Sequence, residues 1–300
     1  MLYLSSTCSS SKKFSTIVDE LVALGVRHIE LSGNIKCEDD LFDQAVALRD
    51  KFLLKYVLHN YFPPPQEDFV LNLASRNKKI IESTLKLVSS AALWMDKLNL
   101  DVFGIHGGHN VDMQPAMVNY HFIVDEKSLA DKTQARKILY KNVKHVMDKI
   151  FIDPKRKFAL ENLTPKSKTE NYALMAMPDE IEGFLEFSKP YKNLGFLLDL
   201  GHLCVAGHFL GFDSVDYARH LLKEYHDKIF QLHLSDNDGS FDFHYVHSKD
   251  SWQMKVLKEF YDFFEKKPIT FEWDSRANNA QEISKGIQLL QKEFGKTILG

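Results

Sequence analysis

The chain is expected to fold as a single (β/α)8 TIM barrel over residues 1–300, and three observations lead there. Short β-rich runs alternate with longer amphipathic stretches about eight times, a pattern that calls for a parallel sheet with crossover helices. The length of 300 residues suits a barrel of about 250 residues with insertions. No Pro/Gly/Ser-rich linker divides the chain. A doubly wound open sheet is the competing architecture. It normally carries a Gly-rich phosphate fingerprint after its first strand, and Ser5-Ser6-Thr7-Cys8 is not one.

The strand-like runs, in order, are Leu2–Ser5, Val26–Leu31, Leu54–His59, Val102–His106, Phe158–Glu161, Gly195–Asp199, Ile229–His233 and Ile269–Glu272. Between them, Phe14–Leu24 places Phe14, Ile17, Val18, Leu21 and Val22 at helical spacing. Lys79–Leu98 does the same with Ile80, Ile81, Leu85, Val88 and Leu93. Two long insertions stand out. One follows the third run and contains Pro63-Pro64-Pro65 with Tyr61, Phe62 and Phe69. The other, roughly Gly107–Lys127, carries Met113, Pro115, Met117, Tyr120 and Phe122. Both follow strands, so both are expected on the C-terminal face of the barrel, as lids or substrate walls.

Composition narrows the function. Hydrophobic residues make up 44% and charged residues 26%, which excludes a disordered or collagen-like chain. No run approaches 18 uncharged apolar residues, so no transmembrane helix is expected. Lys and Arg (38) against Asp and Glu (41) leave a net charge of −3, without the basic excess of a dedicated nucleic-acid binder. The seven arginines are scattered. Cys8, Cys37 and Cys204 are odd in number and far apart, which argues against a disulfide framework and for a reducing cytoplasm.

The informative pattern lies where the runs end. They close with Glu30-Leu31, Leu58-His59, Ile105-His106, Leu160-Glu161, Leu198-Asp199, Leu232-His233 and Phe271-Glu272. In a closed barrel these ends converge on one pocket. Carboxylates gathered there without cations would repel one another and lose hydration, which protonation or a metal resolves. Mixed imidazole and carboxylate donors suit Zn2+, Mn2+, Fe2+ or Co2+ better than Ca2+.

Three further motifs carry a resemblance: Ala159-Leu160-Glu161-Asn162, Asp199-Leu200-Gly201-His202, and His233-Leu234-Ser235-Asp236-Asn237-Asp238-Gly239 followed by Asp242-Phe243-His244. In this order the chain resembles the xylose isomerase-like superfamily of barrels over almost its whole length. That superfamily includes AP endonuclease family 2 (endonuclease IV) and many sugar or sugar-phosphate isomerases and epimerases. In the endonuclease branch the resemblance implies three zinc ions, one on His59, His106 and Glu161, a second on Glu161, Asp199, His233 and Glu272, and a third on His202, Asp242 and His244. In the isomerase and epimerase branch it implies a single divalent ion, Zn2+ or Mn2+ with Mg2+ or Co2+ as alternatives, on Glu161, Asp199, His233 and Glu272. One departure is visible. Relatives often continue after Asp-x-His into a Gly-x-Gly turn, whereas Tyr245-Val246-His247 follows here.

Plainer readings stand beside these. The strand-end carboxylates also suit helix caps, His59 and His106 also suit a polar pocket wall, and Asp242 and His244 also suit a turn begun by Asp238-Gly239. Glu30 is expected to orient a ligand or bind substrate. Tyr61 and Phe62 are expected in the pocket wall, and Lys166 and Arg276 are candidate substrate contacts.

The expected activity is a metal-dependent isomerase or epimerase acting on a sugar or sugar phosphate through a metal-stabilised enediolate, with Glu161 or Glu272 moving the proton and His202 bonding a substrate oxygen. The alternative is an endonuclease IV-like enzyme that uses a zinc cluster to hydrolyse phosphodiesters at abasic DNA sites. A third reading is a non-catalytic metal- or ligand-binding barrel. The loops after the strands carry more acid, Pro and Met than Arg, which favours a small carbohydrate partner over nucleic acid. No membrane partner is expected, and such a barrel is compatible with a homo-oligomer.

Overall fold

The computed structural model describes residues 1–118, 121–295 and 299–300, and eight parallel strands in it close into a barrel. These are β1 (Leu2–Ser5), β2 (His28–Leu31), β3 (Lys55–His59), β4 (Val102–His106), β7 (Lys157–Glu161), β8 (Leu194–Asp199), β9 (Ile229–Leu234) and β10 (Ile269–Phe271). Around the barrel they run β1-β10-β9-β8-β7-β4-β3-β2, so each strand neighbours its successor and β1 closes against β10. The open-sheet alternative is excluded. Strand limits differ from the sequence expectation by two residues at most.

Helices α1 (Phe14–Ala23), α2 (Leu41–Phe52), α3 (Lys78–Leu98), α4 (Lys132–Lys149), α5 (Pro178–Ser188), α6 (Leu200–Leu210), α7 (Ser214–Glu224), α8 (Trp252–Glu259) and α9 (Ala280–Phe294) form the outer layer. Their buried faces follow the helical period. In α1 it is Phe14, Ile17, Val18 and Leu21, as the spacing predicts. In α3 the stripe is rotated from the expected one. It runs Thr84, Leu87, Val88, Ala91, Met95 and Leu98, while Leu93 is 60% exposed. Among the described residues no helix is long and apolar enough to cross a membrane. All three cysteines are free, with Cys8 buried, Cys204 half-buried and Cys37 exposed.

Strand alternation positions the site. Side chains at every second position point into the barrel, and the others pack outward under the helices. Phe158 and Leu160, Phe196 and Leu198, and Leu232 and Leu234 belong to the large outer core. Their neighbours Ala159 and Leu197 join Tyr3, Val57, Val102 and Phe230 in a separate small cluster inside the barrel. One step further along each strand, the next inward position is Glu161, Asp199 or His233. The polar side chains therefore form a layer resting on an apolar plug.

The insertion after β4 is not the loop expected from the sequence. Strands β5 (Asp112–Val118) and β6 (His121–Asp125) pair antiparallel within it, with a register irregularity between Gln114 and Met117 that accommodates Pro115. Tyr120, expected in this wall, lies outside the described residues.

Gly201 makes one close approach possible. It lies in the first turn of α6, and a Cβ there would stand 2.2 Å from Ser235 Oγ and 2.9 Å from the Ser235 carbonyl oxygen. This contact seats the Asp199–His202 turn against the end of β9. Gly201→Ala is expected to destabilise the protein by about 1–3 kcal/mol, read from the denaturant midpoint. An unchanged midpoint would show that the turn is not held by this contact.

Candidate metal centre

Six of the seven strand-end residues converge at the C-terminal mouth. Glu161, Asp199, His233 and Glu272 each offer a donor atom, and these atoms lie within 4.8 Å of one another. His59, His106 and Glu161 satisfy the same limit, as do His202, Asp242 and His244. All nine residues expected as ligands are thus gathered into three groups, the first two of which share Glu161. The seventh strand-end residue, Glu30, satisfies the limit with His59, His233 and Glu272.

His233, Asp199, His202 and His244 are each aimed by a specific bond. His233 Nε2 donates to Glu30 Oε2 at 2.9 Å, which turns Nδ1 towards Glu161 Oε1 (3.4 Å), Glu272 Oε2 (3.4 Å) and Asp199 Oδ2 (3.8 Å). Asp199 caps α6, its Oδ1 accepting from the His202 backbone N–H at 2.6 Å, and its Oδ2 faces the centre. Asn162 ties β7 to β8 by donating to the Asp199 carbonyl and accepting from the Asp199 N–H. Its own carbonyl lies 2.7 Å from His202 Nδ1, and the Glu272 carbonyl lies 2.8 Å from His244 Nδ1. A carbonyl can only accept, so both imidazoles are protonated at Nδ1 and present Nε2 to Asp242 Oδ2, at 3.1 and 2.8 Å. This is the backbone support typical of metal-binding histidines. His244 has a left-handed backbone (φ 54°) beside an antiparallel bridge between Asp236 and Tyr245.

The donor set fits a metal on a direct observation. Glu161 Oε1, Asp199 Oδ2, His233 Nδ1, His59 Nδ1 and Asp242 Oδ1 are buried without a hydrogen-bond partner. Such clustering of orphaned polar atoms in one small volume is costly unless a cation satisfies them.

The charges show how the centre balances itself. Burial works against charge on Glu161, but His59, His233 and His202 outweigh it and hold the carboxyl well below its usual range. Burial is likewise outweighed on Glu272 by His233 and His59. Asp199 is pushed up to about 6, mainly by burial, with Glu161 and Asp242 adding to the effect. Burial also opposes charge on His59, but Glu161, Glu272 and Glu30 raise it to about 9. His233 and His202 are raised well above the usual imidazole value by their carboxylate neighbours, against burial. His106 goes the other way, to about 3, because burial dominates. Protonated imidazoles therefore supply cationic charge beside the carboxylates.

Above the centre lies a cavity of about 620 Å³ whose floor includes His106, His202, Asp242 and His244. The expected substrate contacts divide. Tyr61 lines this cavity, its hydroxyl accepting from the Leu71 N–H at 2.9 Å. Phe62 does not. It is fully buried edge-on to Trp94, because the chain after β3 turns its ring into the helical layer. Glu30 is also fully buried and lies away from the cavity. Its register partner is Val57, one inward position below His59, so it bonds His233 from beneath and does not line the cavity. Lys166 and Arg276 stand at the rim, but each is bound to a carboxylate, Lys166 to Glu170 at 2.9 Å and Arg276 to Asp274. Sequence reasoning missed Phe243 and Tyr245 in the wall. The alternation Phe241-Asp242-Phe243-His244-Tyr245 was the available signal.

The family description "Xylose isomerase-like TIM barrel" matches residues 18–293, and the chain belongs to that family. No curated protein matches the chain in sequence. Among solved structures, a D-tagatose 3-epimerase-like protein is 20% identical, with 99% of this chain and 97% of that one covered at a TM-score of 0.72. D-Psicose 3-epimerase from Clostridium cellulolyticum is 13% identical, with 99% of both chains covered at a TM-score of 0.68. Endonuclease IV from Thermus thermophilus is 13% identical, with 97% of both chains covered at a TM-score of 0.63. At these identities the likeness establishes the fold.

Two measurements check the centre. His59 titrates near 9 and His106 is already neutral, so an ion on His59, His106 and Glu161 must displace one proton at neutral pH. Affinity at that position should rise about tenfold per pH unit from 7 to 9 and then level, by titration calorimetry. A flat profile would contradict the paired state of His59. Glu30→Gln should weaken metal binding about tenfold or more through loss of support for His233. Unchanged affinity would leave Glu30 with a packing role only.

Proposed function

We propose that this barrel is a divalent-metal-dependent isomerase or epimerase that moves a carbon-bound proton on a sugar. The observation that carries the reading is the pairing of two ionised, buried carboxylates, Glu161 and Glu272, beneath a cavity of about 620 Å³. Glu161, Asp199, His233 and Glu272 would hold the ion. When bound, it supplies Lewis-acid stabilisation of negative charge on substrate oxygens.

The chain's own groups account for the remaining chemistry. An ionised carboxylate close to a bound substrate can take a proton from carbon and return it elsewhere. Glu272 keeps 7% exposure while Glu161 has none, so Glu272 is the more accessible of the two. His202 has Nδ1 committed to the Asn162 carbonyl and Nε2 on Asp242 at the cavity floor, where a substrate oxygen could take Asp242's place as its hydrogen-bond partner.

A second reading has an observation in its favour. In the group His202, Asp242 and His244 both imidazoles are held at Nδ1 by backbone carbonyls, which suits a third ion of a cluster hydrolysing a phosphodiester. Against it stands the disposition of the arginines. Each of the seven arginines is engaged within the chain: Arg27 with the Val22 carbonyl, Arg76 with that of Ser128, and Arg49, Arg136, Arg156, Arg219 and Arg276 with carboxylates. A duplex needs a cationic face that is available to phosphates.

Turnover of a panel of ketohexoses in heavy water should place deuterium on the carbon beside the product carbonyl. Absence of deuterium from every product, together with salt-sensitive nicking of abasic duplex DNA that Asp199→Asn abolishes, would replace this reading with the second one.

A further inference from the structure

We propose that the substrate is an uncharged sugar derivative carrying an aromatic group, with its sugar end on the polar floor and its aromatic group between the β5–β6 hairpin and the Phe243–Tyr245 segment. The proposal rests on the isomerase or epimerase reading above and adds to it the chemical class of the compound.

The cavity has two chemically different ends. Its floor offers imidazole and carboxylate groups that can bond hydroxyl and carbonyl oxygens. Its upper wall is apolar, with Met113, Met117 and Phe122 from the hairpin facing Leu163, Phe243 and Tyr245. Phe243 and Tyr245 stack on each other at 4.9 Å and 14°, which makes a flat, stiff surface. Methionine thioethers opposite such a surface adapt their shape and make favourable contacts with aromatic rings. Met117 remains 50% exposed, so the wall keeps apolar surface that an occupant could cover. A volume of about 620 Å³ lies in the range of sites for drug-sized ligands and exceeds what a bare hexose fills.

Charge argues against the commonest sugar substituent, a phosphate. Lys166 and Arg276 are matched by Glu170 and Asp274, at 2.9 Å in both cases. Asp242 and Asp274 add carboxylates to the lining itself. Lys166 and Arg276 are the only lysine and arginine in the described lining, so a dianion at this upper end would compete with Glu170 and Asp274 for them, whereas an uncharged ring would not.

The test compares D-fructose, D-fructose 6-phosphate and 6-O-benzyl-D-fructose by calorimetric binding to the metal-loaded protein. The benzyl ether should bind about tenfold tighter than D-fructose or better, and the phosphate no tighter than D-fructose. In the M113A/M117A double variant, the ratio between benzyl ether and D-fructose should fall below about threefold as the apolar wall is lost. Equal affinity of the benzyl ether and D-fructose, a preference for the phosphate, no binding by any of the three, or an unchanged ratio in the variant would overturn the proposal. Deuterium incorporation from heavy water is read on the same compounds. A benzyl advantage without incorporation would retire the proton-transfer reading and keep the cavity assignment. Incorporation without a benzyl advantage would do the reverse.

Discussion

Three carboxylates, Glu161, Asp199 and Glu272, are buried at one end of one barrel, and neutralising their charge is the constraint on which the rest of the site depends. Unpaired charges in such a place cost several kcal/mol each. The chain answers by facing every carboxylate with imidazole. His59 contacts Glu161 at 2.9 Å, and His233 Nδ1 stands between Glu161, Glu272 and Asp199. The protonated imidazoles raise one another's cost, so a divalent ion bound in place of their protons would relieve both signs of crowding at once. Metal uptake would then release protons.

Beneath this layer the demands are different. Glu30, Gln231 and Thr270 form a buried polar network in which Glu30 accepts from both Gln231 and Thr270 as well as from His233. Its bond to His233 sets the ring and so the direction of Nδ1. Further down, Ala159, Leu197 and Val57 fill the barrel with apolar volume. Rigidity of the upper layer follows from satisfaction and packing of the lower ones. The walls above are freer. A hairpin and a loop with an aromatic alternation supply them, so specificity can change without disturbing the centre.

Much of this was legible in sequence because a strand has a period of two. Once eight short runs are recognised, the last inward residue of each is determined, and His59, His106, Glu161, Asp199, His233 and Glu272 follow. Glu30, expected to orient a ligand or bind substrate, sits one layer lower because its register partner is Val57 and not His59, and from there it bonds His233. Register between strands that are distant in sequence does not show in one strand's pattern. Phe62 was misread for a related reason. An aromatic residue beside three prolines looks like a wall, but whether its ring turns outward or inward depends on Trp94, more than thirty residues away. Pro115 hid the β5–β6 hairpin, because a proline in a short run normally argues against a strand. The α3 stripe was rotated because polar Thr84 and small Ala91 lie on its buried face while Leu93 does not.

The central claim is that Glu161, Asp199, His233 and Glu272 together bind a divalent ion. Anomalous diffraction from crystals soaked in Mn2+ or Zn2+ tests it most directly. The account predicts a peak about 2.0–2.2 Å from a donor atom of each of these four side chains. A fully soaked crystal with the four side chains in their present arrangement, and with no peak among them, would contradict it.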